Sequence, residues 1–235
     1  MSEPLSAGIH VMTESVADIS AIIDGIVHVH ASCILDDGTL ATFLPPLSHF
    51  QLYQWWDQRV SEISRGERQI IVCLSNVKDR TTEKDVSAPW NDEGRTWPVI
   101  RSTSSSISQD SPTPGTANST ETELEVSGVV SLATPFSQTG PFRGLVEKLF
   151  VSPLHRRRGI AKQMMAKLES VAMGLGRWSL MLDTVVGSEA EHVYPRLGYE
   201  KVGFVKEYGY SPVDGRLVDE VWFWKDLRKM KRLEF

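Results

Sequence analysis

Two amphipathic helices are predicted in the first part of the chain by apolar residues at helical spacing. The first begins after Ser15 or Asp18, either of which can serve as its N-cap, and a turn-rich loop over 35–46 follows it. The second begins at Ser48 and ends at Gly66. The inward positions are Ile19, Ile22, Ile23, Ile26 and Val27 in the first helix, and Leu52, Trp55, Trp56, Val60 and Ile63 in the second.

Short apolar runs bounded by turn residues predict strands on both sides of a central polar stretch. Two more helices are predicted between the later strands, at Arg157–Met173 and Ser188–Leu197. Strands and helices therefore alternate around what we expect to be one sheet. The predicted strands are Gly8–Met12, Gln69–Leu74, Glu125–Ala133, Gly144–Val151, Ser179–Thr184, Tyr199–Val205 and Leu217–Trp224.

The polar stretch at 77–123 breaks this pattern. It is dense in Ser and Thr from Ser102 onward and has few apolar residues. Such a composition cannot bury enough apolar surface to offset the entropy lost on ordering the chain. We therefore predict a single domain over 1–235, interrupted by a disordered insertion at about 77–123.

The overall composition is that of a globular protein with an ample core: 41% of the 235 residues are hydrophobic and 23% are charged. These values exclude collagen, a coiled coil and wholesale disorder. A net charge of −5 argues against nucleic-acid binding through a broadly basic surface and suits a cationic small substrate better.

The location and the metal content are predicted from absent patterns. No uncharged apolar run approaches the roughly 20 residues that span a bilayer, and the N-terminus lacks the pattern of a secretory signal. Cys33 and Cys73 are too few for a disulfide framework, and His28 and His30 have no third ligand at a convincing spacing. We expect a cytoplasmic or nucleocytoplasmic protein without a membrane partner, a nucleic-acid partner or a metal.

The most informative segment is LVEKLFVSPLHRRRGIAKQMM, at 145–165. An apolar strand leads through a proline turn to three arginines, a glycine and an amphipathic helix. Gly159 and Ala161 let an anion approach the backbone, and the first helical turn offers unpaired N–H groups and the positive end of the helix dipole. The segment predicts a pyrophosphate-binding loop, and a solvated basic helix start is the alternative.

A second motif follows, in which the strand LMLDT at 180–184 precedes the helix AEHVYPRLGY at 190–199. In order and spacing, the two motifs resemble the acyl-CoA pyrophosphate loop and the tyrosine-bearing helix of the GNAT superfamily of acyl-CoA-dependent N-acyltransferases. The segments EKLFVSPLHRRRGIAKQMM, LDTVVGSEAEHVY and SPVDGRL resemble the tabtoxin resistance protein-like acetyltransferases more closely. GxGxxG and GxxxxGK[ST], the motifs of Rossmann and P-loop proteins, are missing.

The resemblance implies an α/β (α+β) fold with a mixed central sheet of about six to seven strands, splayed at the cofactor site and flanked by about four helices. It implies acetyl-CoA as the acyl donor, with the pantetheine arm paired to the free edge of the strand over 147–151. A backbone N–H near the end of that strand would stabilise the oxyanion. The implied cofactor-binding residues are Leu149, Phe150, Val151, Arg156, Arg157, Arg158, Gly159, Ile160 and Ala161.

Direct attack by an amine requires a base for the nucleophile and an acid for the leaving thiolate. Tyr194 matches the family's usual general acid, and the alternative is a core tyrosine with a satisfied hydroxyl. Asp183 is the first candidate base, although it could merely cap the following loop. Glu147 is the second candidate, and its alternative is an outward charge on a strand.

The acceptor is expected near the 35–46 loop, the start of the second helix and the hairpin around Asp214. Asp36 and Asp37 are candidates for holding a cationic amine, and Trp55 is a candidate for the pocket wall. The sequence thus predicts an acetyl-CoA-dependent N-acetyltransferase acting on a small-molecule amine, with detoxification as one hypothesis. The alternatives are a protein N-terminal or lysine acetyltransferase and a non-catalytic CoA-binding module; monomer and homodimer both stay open.

Overall fold

The computed structural model of the chain describes residues 5–16, 18–81, 86–105 and 119–232. Eight strands and four α-helices form within these residues. The strands are β1 (Gly8–Val11), β2 (Arg68–Asn76), β3 (Ile100–Ser105), β4 (Ser119–Ala133), β5 (Arg143–Val151), β6 (Ser179–Val185), β7 (Glu200–Tyr210) and β8 (Leu217–Asp226). The helices are α1 (Ile19–Asp37), α2 (His49–Ser64), α3 (Ile160–Gly174) and α4 (Glu189–Arg196).

All eight strands belong to one mixed sheet, in the order β1-β2-β4-β5-β6-β8-β7, with β3 paired to β4 beside this path. Neighbouring strands are antiparallel except β5 and β6, which are parallel. The predicted mixed sheet and its four flanking helices are confirmed. The strand that the sequence did not predict is β3.

Two apolar cores cover the two faces of the sheet. One contains the buried faces of α1 and α2, including Ile26 and Trp56. The other contains α3 and the tyrosine of α4, including Met164 and Leu182. Because strand residues alternate between faces, β6 gives Leu182 to the second core and turns Asp183 to the opposite side.

Helix α1 is longer than the sequence predicted. It continues through Asp37 and ends at Gly38, whose left-handed backbone lets its N–H bond back to the carbonyls of Cys33 and Ile34. Residues 25–34 are buried on all sides, so the polar face that normally marks a surface helix is missing. Asp36 and Asp37 therefore lie in the last helical turn, and their predicted position in a loop is wrong.

Helix α1 is also long and apolar enough to pass a test for membrane-spanning helices by length and composition. Of the window that passes, 67% is buried within the fold. Packing against the sheet and α2 therefore accounts for its apolar character.

The predicted disordered insertion is wrong for residues 77–81, 86–105 and 119–123. Trp90 and Trp97 pack against the α1–α2 core, and Ile100 is buried in it. β3 and β4 pair through their backbones, which needs no apolar side chains. Only a few large apolar residues anchor this segment, so its average composition concealed them. The rest of the predicted insertion, 82–85 and 106–118, lies outside the described residues.

Candidate functional site

A gap between β5 and β6 forms the centre of the candidate site. The two strands pair only where 143–145 face 179–181, and they separate beyond that point. The register between β4 and β5 shifts near Val130, opposite Lys148 and Leu149, and Lys148 has a φ of 58°. Such a bulge bends a strand, which explains why β5 leaves β6 and presents a free edge over 147–151.

The predicted pyrophosphate loop joins the end of β5 to α3. Ser152 starts a short 3-10 turn and accepts a hydrogen bond from the N–H of Leu154. Gly159 precedes α3 with a φ of 74°, a left-handed conformation that favours glycine. The first N–H groups of α3, those of Ile160 and Ala161, have no carbonyl one turn earlier to bond, so they are available to an anion.

The three arginines of the loop have different surroundings. Arg156 donates two hydrogen bonds to Asp37 at 2.9 and 2.6 Å, which ties the loop to the end of α1. Arg158 donates to the carbonyl of Asp79 at 2.7 Å. Within the described residues, Arg157 makes no ion pair, and it is exposed. A bound pyrophosphate would therefore compete with Asp37 for Arg156.

The buried His155 stabilises the predicted pyrophosphate loop through hydrogen bonds. Arg158 approaches Nδ1 of His155 at 3.1 Å, and since a guanidinium only donates, Nδ1 is the acceptor. Nε2 therefore carries the proton and donates to Glu125 at 2.8 Å. Burial raises the pKa of Glu125, but hydrogen bonds from Arg80 and His155 outweigh it and hold the pKa below its usual value.

Tyr194 lies in the second core, with a ring centroid 5.6 Å from Phe223 and 6.1 Å from Tyr199. Burial, and then the charge of Asp183, raise its pKa above that of a free phenol. The hydroxyl therefore keeps its proton at neutral pH, as a general acid must. Its role as the acid stays a prediction.

Asp183 is exposed on the other face of β6, beyond the point where β5 and β6 separate. Asp183 pairs in register with Trp222 on β8, so Glu220, two residues away on that strand, lies on the same face. Lys148, across the gap, is attracted to Asp183, while burial lowers the pKa of this lysine. Its ammonium lies 5.7 Å from the ring of Trp55.

Glu147, the second candidate base, is held by Arg68, which also pairs with Glu62 and donates to Ser131. Its side chain is 29% exposed, so it is only partly buried. The structure thus gives Glu147 a clear structural partner, and its catalytic role stays a prediction.

The candidate acceptor residues do not all come together. Trp55 projects from α2 towards the gap, where it packs against Arg59 and Lys148. Asp37 is engaged by Arg156. Asp36 instead lines a small cleft between α1 and residues 87–92. Of the three candidates, Trp55 is therefore the one placed beside the gap.

His28 and His30, for which the sequence predicts no metal, have different surroundings in the structure. His30 is a satisfied core histidine: Trp56 donates to Nδ1 at 3.0 Å, Nε2 donates to the carbonyl of Ala41, and burial lowers its pKa to about 3. Asp24, His28 and His49 offer ligand atoms within 4.8 Å of one another. His49 is hydrogen-bonded to the carboxylate of Asp24, and Nδ1 of His28 is hydrogen-bonded to the backbone carbonyl of Asp24. The absence of a metal stays a prediction.

Sequence reasoning missed Glu220 and Lys148 near the gap and the contacts of 77–81 with the loop. Glu220 carried a signal, because it alternates with Trp222 and Trp224 along a predicted strand and so had to share their face. Lys148 carried none, because its position depends on a bulge. Arg80 reaches Glu125 from 45 residues away, a contact that no local pattern encodes.

Known proteins that resemble this chain are acetyltransferases. Residues 86–199, which include the loop, Asp183 and Tyr194, match the sequence model of the Acetyltransferase (GNAT) family. Three solved structures share the fold over nearly the whole chain. They are a phosphinothricin acetyltransferase from Sinorhizobium meliloti in complex with AcCoA (16% identity, 95% of this chain and 89% of that chain, TM-score 0.60), a ribosomal-protein-alanine N-acetyltransferase from Brucella melitensis (16%, 93% and 99%, 0.57), and a ribosomal L7/L12 alpha-N-protein acetyltransferase in complex with coenzyme A (12%, 95% and 97%, 0.59). The chain therefore has the fold of these N-acetyltransferases, and its residues 86–199 are similar to the acetyltransferase (GNAT) family.

Proposed function

We propose that this protein transfers the acetyl group of acetyl-CoA to the amine of a small molecule by direct attack. The observation that carries the proposal is the gap between β5 and β6, which has Asp183 on one face of β6 and Tyr194 packed against the other. In the proposed reaction, Asp183 would serve as the base and Tyr194 as the acid.

The residues fit the acyl donor that the family uses. The free edge of β5 at 147–151 can pair with an extended pantetheine arm, and the start of α3 offers N–H groups and arginines for the diphosphate. When bound, acetyl-CoA would supply an activated acyl group as a thioester. A backbone N–H near Phe150 or Val151 would stabilise the developing oxyanion, and Tyr194 would protonate the leaving sulfur.

A closed acceptor side favours a small acceptor over a protein. The loop after α1 and the β7–β8 hairpin approach each other closely at two points. A methyl group added at Gly209 would meet Leu40 at 2.6 Å, and one added at Gly38 would meet Val213 at 2.6 Å. An extended peptide needs an open groove, whereas a small amine tolerates a pocket bridged in this way.

The function is tested by measuring thiol release from acetyl-CoA with a panel of small amines and, in parallel, with peptides that carry a free N-terminus or lysine. We expect turnover with at least one small amine and none with the peptides. Turnover only with peptides would favour a protein acceptor. Tight CoA binding without turnover on any amine would favour a non-catalytic module. The same panel tests the detoxification hypothesis that follows from the tabtoxin resistance resemblance.

A further inference from the structure

Two carboxyl side chains, one exposed and one buried, lie beside the gap. Glu220 on β8 is 8% exposed, and its register partner Val185 lies two residues from Asp183 on β6. Asp183 is paired in register with Trp222, which is two residues from Glu220 on β8. The two acidic side chains are therefore diagonal neighbours on one face of the sheet. Since Asp183 is exposed and Glu220 is buried, an acceptor amine would meet Asp183 first.

The surroundings of Glu220 offer little to balance its charge. β7 and the loop after α1 bring Gly209 and Leu40 against it, and neither can ionise. The charged groups that act on it are Asp183 on β6 and Lys148 on β5. Lys148 is itself shared with Glu147 and lies near Arg68 and Arg59. Burial and then Asp183 raise the pKa of Glu220 to about 7, against the opposing effect of Lys148.

We propose that Glu220 is a positioning residue for Asp183, so that the carboxyl pair, and not Asp183 alone, takes the proton from the acceptor ammonium. The proposal rests on the acetyl-transfer function proposed above. An isolated aspartate is too acidic to take a proton efficiently from an ammonium at neutral pH, whereas a pair with one shared proton binds that proton far more tightly. Efficient base catalysis needs such a match to the working pH.

The proposed step balances as follows. The acceptor enters as an ammonium, one N–H bond breaks, and the proton becomes shared between Asp183 and Glu220. The neutral amine forms the C–N bond at the thioester carbonyl carbon, and the C–S bond breaks. Tyr194 protonates the sulfur and regains a proton from the acylated nitrogen. The pair then returns its proton to solvent, so that one proton is released for each acetyl group transferred.

The first test compares the pH profiles of kcat/KM for the natural chain, Glu220→Gln, Asp183→Asn and the double variant, with Glu200→Gln as the control. Glu200 is exposed on the adjacent strand β7, so its loss should change nothing. We expect the activity of the natural chain to fall about tenfold per pH unit below about pH 7. In Glu220→Gln this fall should move to the acidic range of an isolated aspartate, with a loss on the order of 10- to 100-fold at pH 8 and unchanged CoA affinity.

The double variant distinguishes a pair from two separate effects. If the carboxyls act as one unit, it should lose no more activity than Asp183→Asn alone. If the activity losses of the two single variants multiply in the double variant, the carboxyls act separately and the proposal is overturned. It is also overturned if the pH profile of Glu220→Gln matches that of the control variant Glu200→Gln.

A second readout needs no activity. A carboxyl whose pKa is raised by folding binds its proton more tightly in the folded state, so the fold loses stability as the pH rises from about 4.5 through about 7. The Tm of the natural chain should therefore fall over this range, and the Tm of Glu220→Gln and Asp183→Asn should fall less. If Tm falls with pH equally in the natural chain and in both variants, the proposal of a shared proton is overturned. If no amine is acetylated at all, the proposed function fails, and these profiles still decide whether the proton is shared.

Discussion

At the scale of single residues, the strand β6 separates the predicted base, Asp183, from the predicted acid, Tyr194. Leu182 packs with Tyr194 on one face, and Asp183 points from the other. The nearby carboxylate adds to the effect of burial in raising the pKa of Tyr194. A raised pKa keeps the Tyr194 hydroxyl protonated at neutral pH, which the predicted role as general acid requires.

Replacing this hydroxyl gives the first prediction. Tyr194→Phe should reduce kcat by on the order of 10²-fold with CoA affinity unchanged, because a general acid acts only on the leaving sulfur. Tyr199→Phe is the matched control. The Tyr199 hydroxyl is buried and has no hydrogen-bond partner within the described part of the chain, so its removal should leave kcat unchanged and hold or raise the Tm. Steady-state kinetics, CoA titration and thermal melts check both variants, and equal kcat in the two would remove Tyr194 from the mechanism.

At the scale of elements, the loop after α1 contacts the β7–β8 hairpin. The family resemblance predicts the acceptor near these two elements and the start of α2, and this location stays a prediction. Their contact depends on Leu40 meeting Gly209, where no side chain intervenes. A methyl group added at Gly209 would also lie 2.9 Å from the Glu220 carboxyl, so the hairpin links the acceptor loop to the carboxyl pair.

A single methyl group at this contact should therefore change acceptor binding. Gly209→Ala places a Cβ 2.6 Å from Leu40, and the flexible leucine must move away. We expect the KM for the acceptor to rise several-fold, with CoA affinity unchanged and only a small change in Tm. Gly203→Ala is the control. Gly203 lies on the same strand as Gly209, and a Cβ there meets nothing within 4 Å. If both variants show the same acceptor KM, the contact does not shape the pocket.

Across the whole molecule, local patterns could predict β5, α3, β6 and α4, because each has its own apolar period and turn residues. The parts that could not be predicted depend on contacts between distant residues. Arg68 meets Glu147 from 79 residues away, and β3 gains its structure from pairing with β4. The segment after β2 looked disordered on composition, yet Trp90 donates to the carbonyl of Leu47 and closes over α1 and α2. Average polarity measures how much a segment can bury, and not whether a few residues are well placed.

The segment between β2 and β4 also contacts the predicted pyrophosphate loop, which leads to the last prediction. Arg80 neutralises the buried Glu125, and Thr81 donates to the carbonyl of Leu154 through both its N–H and its hydroxyl. Deleting 78–121 removes these contacts and leaves a buried carboxylate without its guanidinium partner, a loss that costs about 3–5 kcal/mol in fully buried pairs. We expect a large drop in Tm or loss of soluble protein.

The matched variant replaces only 106–118 with an Asn-Gly turn. Ser105 and Ser119 are register partners at the ends of β3 and β4, so a two-residue turn can close this hairpin. This variant keeps Arg80, Thr81, Trp90 and β3, and we expect its Tm and CoA affinity to match those of the natural chain. Thermal melts and CoA titration compare the two deletions. If both variants have the same Tm, the contacts of 78–105 contribute nothing to the stability of the fold. If only the longer deletion loses stability and CoA affinity, this segment supports the predicted pyrophosphate loop.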